Sequence, residues 1–428
     1  LAYEDCVRAM EMEIGAEVRS AMTKPLSLVF ASARWFTGEI ADLAREKLWQ
    51  IYRELVAHEG SPAVELIHFW YRLQPQLFEK KPELTNEIRR RLNERWEEIF
   101  AIEPGKRRLR FTSEELHQRV EQAFHFCAPS WPLARYHSPD VMIAAASVEA
   151  VRRGEYQLVL GELHAAVCTL NCWVFAALCP QQAELFEHLE ADMPEPRAIL
   201  LEPKNLPGLT ARTRRAHFSP KDLFVMPLHD TVLLPGIEAL PMSEMVVTEV
   251  GDTLTVASRD GRWRFEIVDF FGDLLSGFLA PEFSLLGARA HWPRITIDRM
   301  VVWRECWTFA ASELEFGFAK EGSERFLEAQ RWAQRHDLPR TVFIKVPVEQ
   351  KPFYMDFDSP IYVDLLARAV RRTLEAGGEN PQVRVSEMLP TSEEVWLPDA
   401  QGACYTSELR LVMVDQHLLL GESLPRHA

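Results

Sequence analysis

VFIKVPVEQKPFYMDFDSPIYVDLLARAVRR, residues 342–372, joins a strand-like run to an amphipathic helix. The run at 342–346 has the apolar, β-branched and aromatic composition of a buried strand, and Lys345 interrupts it. From Pro360 onward, apolar residues recur at three- and four-residue spacing, which predicts a helix. This alternation of strand and helix indicates a chain that mixes both kinds of element.

The loop between the two elements carries several charges. Lys351, Asp356 and Asp358 are expected on irregular backbone, where functional side chains often collect. Asp358 or Ser359 can cap the following helix, which accounts for these two residues without any function. A lysine within an apolar strand costs desolvation unless it is paired or faces a polar cleft. Lys345 and Lys351 are therefore predicted to contact a phosphate or a carboxylate.

The rest of the chain supports an α+β fold, in which a helical N-terminal layer precedes mixed or antiparallel sheets with flanking helices. The pattern is helical to about Phe100, and Thr112 or Ser113 can cap a further helix. GDT (251–253) and RDGR (259–262) fit tight turns between strands. The segment 295–309 is predicted to form a strand or a pair of strands. The predicted regions are 1–127 (mainly helical), 128–293 (α+β with hairpins), 294–415 (α+β with the anion site) and 416–428 (a frayed tail).

Composition limits the classes of function. The 428 residues carry a formal net charge of −15, which argues against a uniformly basic surface that coats nucleic acid but allows a local basic patch. No apolar run is long enough for a membrane helix. The seven cysteines are odd in number and scattered, so we expect reduced thiols. The chain begins at Leu1, and we expect it to be a piece of a longer protein.

Polar residues in apolar surroundings are the candidates for chemistry. His137 or Asp140, in RYHSPDVM, could transfer protons or cap a helix, and the cap is the simpler interpretation. Glu162 and His164 would share one face of a strand, but no third ligand follows at a suitable spacing. We therefore expect a buried Glu–His pair and no metal. Arg304, between two tryptophans, could bind a phosphate or pair with an acid.

Basic clusters are the best local candidates for contact with a nucleic-acid backbone. Such clusters are more often solvated loops, so each alone is weak evidence. Glycine-rich phosphate loops, GxSxG elbows and paired CxxC motifs are absent from the sequence. The predicted phosphate contacts are Lys106, Arg107, Arg108, Arg214, Arg215 and Arg299, together with Lys351.

Several longer sequence segments resemble those of a known family. In order they include LAYEDCVRAMEMEIGAEV, ARYHSPDVMIAA, GEYQLVLGELHAAVCTLN, PRITIDRMVVWRECWTF, RWAQRHDLPRTVFIKVPVEQKPFYMDFDSPIYVDLLA and YTSELRLVMVD. Together they resemble the C-terminal half of the tRNA-dependent glutamylation domain of the lantibiotic dehydratase family, over nearly the whole chain. We expect no elimination domain after the last of these segments.

The resemblance implies a cytoplasmic enzyme that modifies ribosomally made precursor peptides with aminoacyl-tRNA as co-substrate and no permanently bound cofactor. One branch of the family transfers glutamate from glutamyl-tRNA to Ser or Thr hydroxyls, after which a separate elimination enzyme can act. The partners implied are the precursor peptide and tRNA, not a membrane, and we expect a homodimer. The residues expected at the reaction centre are Arg304, Lys345, His137, Asp140 and Glu162.

Two alternatives remain open. A second branch of the family uses ATP to activate the C-terminus of a peptide and extends it with an amino acid carried by tRNA. A non-catalytic module could instead hold the precursor peptide for partner enzymes by adding a strand to a sheet edge. The hairpin-rich stretch 245–268 could supply such an edge.

Overall fold

The computed structural model describes residues 10–78, 81–103, 105–125, 128–193, 196–202, 212–227 and 238–416. It confirms the α+β class, with a helical N-terminal region followed by sheets. The helices are α1 (Ala16–Glu59), α2 (Leu66–Phe78), α3 (Lys81–Phe100), α4 (Ser113–Ala123), α5 (Val148–Arg152), α6 (Trp173–Ala176), α7 (Gln182–Asp192), α8 (Ile267–Phe270), α9 (Gly272–Leu274), α10 (Gly322–Arg335) and α11 (Pro360–Glu375).

Four sheets contain the strands. The strands are β1 (Val64–Glu65), β2 (Arg108–Phe111), β3 (Tyr136–Ala144), β4 (Gln157–Ala165), β5 (Ala198–Leu200), β6 (Leu223–Met226), β7 (Ala239–Pro241), β8 (Met245–Val250), β9 (Thr253–Ser258), β10 (Arg264–Glu266), β11 (His291–Trp292), β12 (Arg294–Ile297), β13 (Met300–Trp303), β14 (Cys306–Ala310), β15 (Thr341–Lys345), β16 (Phe353–Asp356), β17 (Gln382–Glu387), β18 (Glu408–Arg410) and β19 (Met413–Val414).

The seven-stranded sheet holds the candidate site. Its order is β18-β3-β4-β13-β12-β2, and β19 also pairs with β3. The β2–β12 and β4–β13 pairs are parallel and the others are antiparallel, so strands from distant parts of the chain lie side by side. The other sheets are β11-β14-β17-β15-β16, β1-β8-β9-β10 and β5-β6-β7.

Two main hydrophobic cores hold these layers together. The larger packs the N-terminal helices against the seven- and four-stranded sheets, and Trp35 and Phe36 of α1 are wholly buried in it. The second lies between the five-stranded sheet and the helices α10 and α11. Each fully buried large apolar side chain stabilises the fold by roughly 1.5–3 kcal/mol.

Local signals in the sequence set several element boundaries as predicted. Thr112 caps α4 in a capping box with Glu115, and both reciprocal hydrogen bonds are present. The turns at 251–252 and 259–263 connect β8–β9 and β9–β10 as antiparallel hairpins. α11 begins at Pro360, as predicted, because proline is favoured in the first turn of a helix.

Other expectations were wrong in detail. The segment 294–310 forms three strands, β12, β13 and β14, rather than one or two. Asp356 is the last residue of β16 and not part of a loop, because β16 pairs with β15. Ser359 is the N-cap of α11, but its side chain makes no capping hydrogen bond.

Some expectations fall partly or wholly outside the described residues. The predicted tail, 416–428, is described only at Gln416, and the segment that begins the chain starts outside the described residues. The region boundaries stay a prediction. Among the described cysteines, Cys168 and Cys306 are buried free thiols and Cys404 is exposed. Among the helices described, none is both long enough and apolar enough to span a membrane.

Candidate functional site

A β-bulge between β3 and β4 brings distant polar side chains together. Pro139 pairs with Leu163 and Val141 with Leu160, so Asp140 on β3 faces two residues, Gly161 and Glu162, on β4. Bulges of this kind redirect side chains and are common beside active sites. Glycine at position 161 lets the two strands approach closely, because a Cβ there would lie 3.3 Å from the Cβ and the carbonyl oxygen of Asp140.

Asp140 is the centre of the group. Its side chain is 3% exposed, and its Oδ2 lies 2.5 Å from Nη1 of Arg410 and 3.2 Å from Nε2 of His164. Arg410 also pairs with Glu408 at 2.8 Å, and Oε2 of Glu162 lies 3.8 Å from Nε2 of His164. Oδ1 of Asp140 is buried and has no hydrogen-bond partner among the described residues. A buried acceptor without a partner is costly and marks a place where a ligand can complete the network.

Arg304 extends the group from the other side of β4. It follows β13, and its Nη1 donates to the carbonyl oxygen of Leu160, 3.3 Å away, while its Nη2 donates to that of Leu389, 3.1 Å away. Its Nε is buried and unpartnered within the described structure. Burial lowers the pKa of Arg304, although the charges of Glu387 and Glu408 act in the opposite direction. A guanidinium stays charged even so, which makes Arg304 a cation without a carboxylate ion pair in the described part of the chain.

We call the assembled residues the bulge cluster. It contains three predicted site residues and three others, and they come from β3, β4, β18 and the residue after β13. Its members are Asp140, Glu162, His164, Arg304, Glu408 and Arg410.

The bulge cluster supplies the third ligand-type group that sequence spacing did not show. Asp140, Glu162 and His164 each place one potential ligand atom within 4.8 Å of the others. The guanidinium of Arg410 lies 2.5 Å from Asp140 and 3.2 Å from His164, where it already balances the negative charge. The arrangement is therefore a carboxylate–imidazole–guanidinium group. The expected buried Glu–His pair was wrong in one respect, because the side chain of Glu162 is 79% exposed.

His137 lies on β3 outside the bulge cluster. Its ring stacks on Phe30 of α1 at 5.9 Å, and it is 5% exposed. Burial, together with the charge of Arg34, lowers the pKa of His137 to about 3, so the ring is neutral near neutral pH. The helix-cap interpretation of His137 and Asp140 was wrong, because both lie within a strand.

Two arginines of the basic cluster at 106–110 bind an internal carboxylate. Nε of Arg107 lies 2.6 Å from the fully buried carboxylate of Glu305, and Nη1 of Arg108 donates to the same carboxylate. Lys106 pairs with Glu103 on the surface at 2.9 Å. Arg107 and Arg108 are therefore partly occupied by internal acids, which weakens the interpretation of this cluster as a phosphate surface.

A neighbouring carboxylate completes an inter-sheet network. Glu387 of β17 accepts from Nε of Arg294 at 2.8 Å and from the backbone N–H of Glu305 at 2.7 Å. Burial alone would raise the pKa of Glu305, but hydrogen bonds from Arg107, Arg108 and His291 outweigh it and lower that pKa. The inter-sheet network joins the seven-stranded and five-stranded sheets and consists of Arg107, Arg108, His291, Arg294, Glu305 and Glu387.

The remaining predicted cations differ in how they are held. Arg215 pairs with Asp273 at 2.5 Å, and Arg214 lies 4.0 Å from Glu202. Arg299 is exposed, lies 4.5 Å from the centre of the Tyr156 ring and donates to a carbonyl oxygen.

Two lysines of the opening stretch complete the set of predicted cations. Lys345 is half-buried and donates to the carbonyl oxygen of Glu349. Lys351 is exposed on the β15–β16 loop. In the described part of the chain, Arg299, Lys345 and Lys351 make no ion pair, so they remain the cations most available to an anion.

Sequence reasoning singled out Asp140, Glu162 and Arg304 but missed Arg410 and Glu408. These two lie in the phrase YTSELRLVMVD, whose alternation indicates a strand, but nothing in it shows which strand it pairs with. The pairing of β18 with β3 places Arg410 directly opposite Asp140.

Comparisons with known proteins bear on this fold. Residues 274–366 match the family model described as "Lantibiotic dehydratase, N terminus". That range includes Arg304 and Lys345. A comparison with curated proteins finds no significant match.

Among solved structures, the chain is similar to the "Glutamylation domain, TbtB, from thiomuracin biosynthesis", with 16% identity and a TM-score of 0.53. It is also similar to that domain bound to 5'-phosphodesmethylglutamycin, with 17% identity and a TM-score of 0.53. Each alignment covers 92% of this chain and 50% of the other, so this chain spans about half the length of the TbtB chain.

A further match is the tRNA-dependent lantibiotic dehydratase MibB from Microbispora sp. 107891. Its identity is 14% and its TM-score 0.46, covering 69% of this chain and 32% of that one. At identities this low, the two TbtB matches show a similar fold and no more. The predicted resemblance to the lantibiotic dehydratase family is therefore confirmed, by the family match over residues 274–366 and by a glutamylation-domain fold across most of the chain.

Proposed function

We propose that this chain is part of an enzyme that transfers glutamate from glutamyl-tRNA to Ser or Thr side chains of a ribosomally made precursor peptide. The observation that carries the proposal is the bulge cluster, in which the buried carboxylate of Asp140 contacts the imidazole of His164 and the guanidinium of Arg410, while Arg304 binds the carbonyl oxygen of Leu160 on the same strand as His164. The fold around it is similar to that of a glutamylation domain. Fold similarity alone does not assign a reaction, so the chemistry must be argued from these residues.

The reaction is an acyl transfer. A hydroxyl oxygen of the peptide attacks the ester carbonyl carbon of glutamyl-tRNA, and a new ester bond forms. The ester bond to the terminal ribose then breaks, and the proton lost by the peptide hydroxyl ends on the ribose oxygen. Such a step needs a base for the hydroxyl proton and positive charge near the carbonyl oxygen.

The bulge cluster can supply both. Nε2 of His164 contacts both the carboxylate of Asp140 and the guanidinium of Arg410. In the proposed mechanism Nε2 donates to Asp140, which leaves Nδ1 as the basic nitrogen. Nδ1 would accept the hydroxyl proton and return it to the leaving ribose oxygen. Arg304 and Arg410 would stabilise the negative charge that develops on the carbonyl oxygen. Asp140 acts as a positioning residue in this scheme. Glu162 lies at the solvent edge of the bulge cluster.

The phosphates of tRNA need cations that are not already committed. Arg299, Lys345 and Lys351 fit this role better than Arg107 and Arg108, which bind an internal carboxylate. A polyanion can then bind locally although the chain has a net charge of −15. The co-substrate proposed is aminoacyl-tRNA, in the cytoplasm, with no permanently bound cofactor. A separate elimination enzyme and a homodimer remain predictions.

The test uses the protein with a candidate precursor peptide and tRNA that has been charged with radiolabelled glutamate and then desalted to remove ATP. Label on Ser or Thr side chains without ATP would support the proposal. Transfer that requires ATP and extends the C-terminus of the peptide would assign the chain to the ligase branch. Tight peptide binding with no transfer in either condition would indicate a binding module.

A further inference from the structure

The stretch of chain between β4 and α7 is fastened to the strand that carries Asp140. We call residues 168–177 the cover segment; it contains a short 3-10 turn followed by α6. Near its start, the backbone N–H of Thr169 donates to the hydroxyl oxygen of Ser138 on β3, 3.2 Å away. Because Ser138 is two residues from Asp140, this contact holds the cover segment beside the bulge cluster.

Further hydrogen bonds fix the cover segment on its other side. The backbone N–H of Trp173 donates to the carbonyl oxygen of Arg214 at 2.9 Å, and the carbonyl oxygen of Asn171 accepts from the N–H of Ala216 at 2.7 Å. The side-chain oxygen of Asn171 also accepts from the backbone N–H of His217 at 2.9 Å. A segment held in this way keeps its side chains in place before any ligand arrives.

Phe175 of the cover segment lies against the guanidinium of Arg410. The guanidinium carbon is 5.2 Å from the centre of the Phe175 ring, within the range of a cation–π contact. Cys172 precedes Phe175 by three residues and so lies on the same side of the turn. Burial raises the pKa of Cys172, although the charges of Arg410 and Arg215 act in the opposite direction. An aromatic ring and a neutral thiol therefore accompany Arg410 on this side.

The ring complements the ion pairs at the edge of the guanidinium. Asp140 lies 2.5 Å from Nη1 of Arg410 and Glu408 lies 2.8 Å from Nη2, which engages two of its five N–H groups. The two carboxylates hold the edge of the group, and a ring against its face restricts the tilt of the plane. The remaining N–H groups then keep fixed directions, as electrostatic stabilisation of a transition state requires.

We propose that Phe175 is a positioning residue for the acyl transfer, whose ring holds the guanidinium of Arg410 in the plane from which it stabilises the negative charge on the carbonyl oxygen. This inference rests on the proposed function. The negative charge develops only in the transition state, so the ring contributes to the rate of transfer and not to binding of the peptide.

The first experiment compares Phe175→Leu with wild type in single-turnover transfer from pre-charged glutamyl-tRNA. Leucine keeps much of the apolar volume but has no π-face, so the rate constant should fall about 2- to 30-fold, equivalent to the ~0.5–2 kcal/mol of a cation–π contact. The peptide concentration that gives half the maximal rate should not change. Phe175→Tyr keeps the ring and should retain the rate. A folded Phe175→Leu variant as fast as wild type, or a Phe175→Tyr variant as slow as Phe175→Leu, would overturn the proposal.

Trp49→Leu is the matched control. The Trp49 ring lies 5.4 Å from the guanidinium carbon of Arg53, on α1 and outside the bulge cluster, so the same kind of contact is lost there without an effect on transfer. Circular dichroism shows whether each variant folds. Equal losses of rate in Trp49→Leu and Phe175→Leu would overturn the proposal, because a general loss of stability would then account for both.

A measurement without substrate separates the contact from the reaction. In protein with isotope-labelled arginine, the side-chain NMR resonances of Arg410, identified by their loss in Arg410→Lys, should move in Phe175→Leu because the ring current is removed. Unchanged resonances would overturn the proposal. Transfer at the wild-type rate in Phe175→Leu would overturn it and leave the proposed function intact. Absence of transfer by the wild type would remove the proposed function, and this role of Phe175 with it.

Discussion

The bulge cluster and the inter-sheet network both bury carboxylates beside arginines, and they differ in how completely their atoms are paired. In the inter-sheet network, Glu305 receives hydrogen bonds from Arg107, Arg108 and His291, and both its oxygens are used. In the bulge cluster, Oδ1 of Asp140 and Nε of Arg304 have no partner among the described residues.

This difference separates a structural network from a candidate site. A buried ion network that satisfies every donor and acceptor holds the surrounding elements in one arrangement. A buried network with free donors and acceptors loses free energy in the absence of a ligand and regains it when one binds. The same residue types therefore have different roles, and the predictions below test this assignment.

The largest expected effect is that of Asp140→Asn on activity. Asparagine cannot stabilise a positively charged His164, so glutamyl transfer should slow by about 100- to 10,000-fold, as for a positioned acid–base group. The free energy of unfolding should fall as well, because the pair between buried Asp140 and Arg410 is lost, although Arg410 keeps Glu408 as a partner. Single-turnover assays with pre-charged tRNA measure the rate constant. A folded variant that retains most of its activity would place the reaction outside the bulge cluster.

Glu305→Gln should act mainly on stability, because Glu305 lies outside the bulge cluster. It removes the charge that balances Arg107 and Arg108 in a buried setting, so the free energy of unfolding should fall by about 3–5 kcal/mol. Urea denaturation measures this change. Glu103→Gln, which breaks only the exposed pair with Lys106, is the control and should cost about 0–1 kcal/mol. Similar losses from both variants would mean that the inter-sheet network does not hold the two sheets together.

Acid should weaken the inter-sheet network in a defined direction. Because the pKa of Glu305 in the folded protein is below the ordinary 4.5, the stabilisation is complete above that value. It is lost as the pH falls through the lower pKa of the folded state, where Glu305 takes up a proton. The difference in unfolding free energy between wild type and Glu305→Gln should therefore shrink on acidification below about pH 4.5. A difference that stays constant in that range would contradict a charged Glu305 in the folded state.

Sequence reasoning succeeded where neighbouring residues determine the outcome. The cap at Thr112, the two hairpins and the start of α11 at Pro360 depend on residues a few positions apart. It also identified Lys345 as unusual for a strand; the structure places this lysine half-buried on β15, opposite Arg384 of β17, and its anion contact stays a prediction.

The bulge cluster could not be assembled in this way. Its contacts join residues 24 and 246 positions apart, His164 with Asp140 and with Arg410. Glu305, the shared partner of Arg107 and Arg108, lies 198 positions from Arg107 and 197 from Arg108 in the sequence. Periodicity and spacing predict which elements form, but the order of strands in a sheet decides which polar residues meet. The same limit applies to the basic run at 106–110. Its sequence indicated a phosphate-binding surface, but Arg107 and Arg108 bind the internal carboxylate of Glu305.

Glu162→Gln should have the smallest effect and marks the edge of the bulge cluster. Its side chain is 79% exposed and lies 3.8 Å from His164, so its interaction is weakened by solvent. Transfer should change by less than about fivefold, in line with the ~0–1 kcal/mol typical of exposed pairs. The variant can be measured in the same single-turnover assay as Asp140→Asn. A loss as large as that of Asp140→Asn would make Glu162, rather than the Asp140–His164 pair, the group that handles the proton, and would move the reaction to the solvent side of β4.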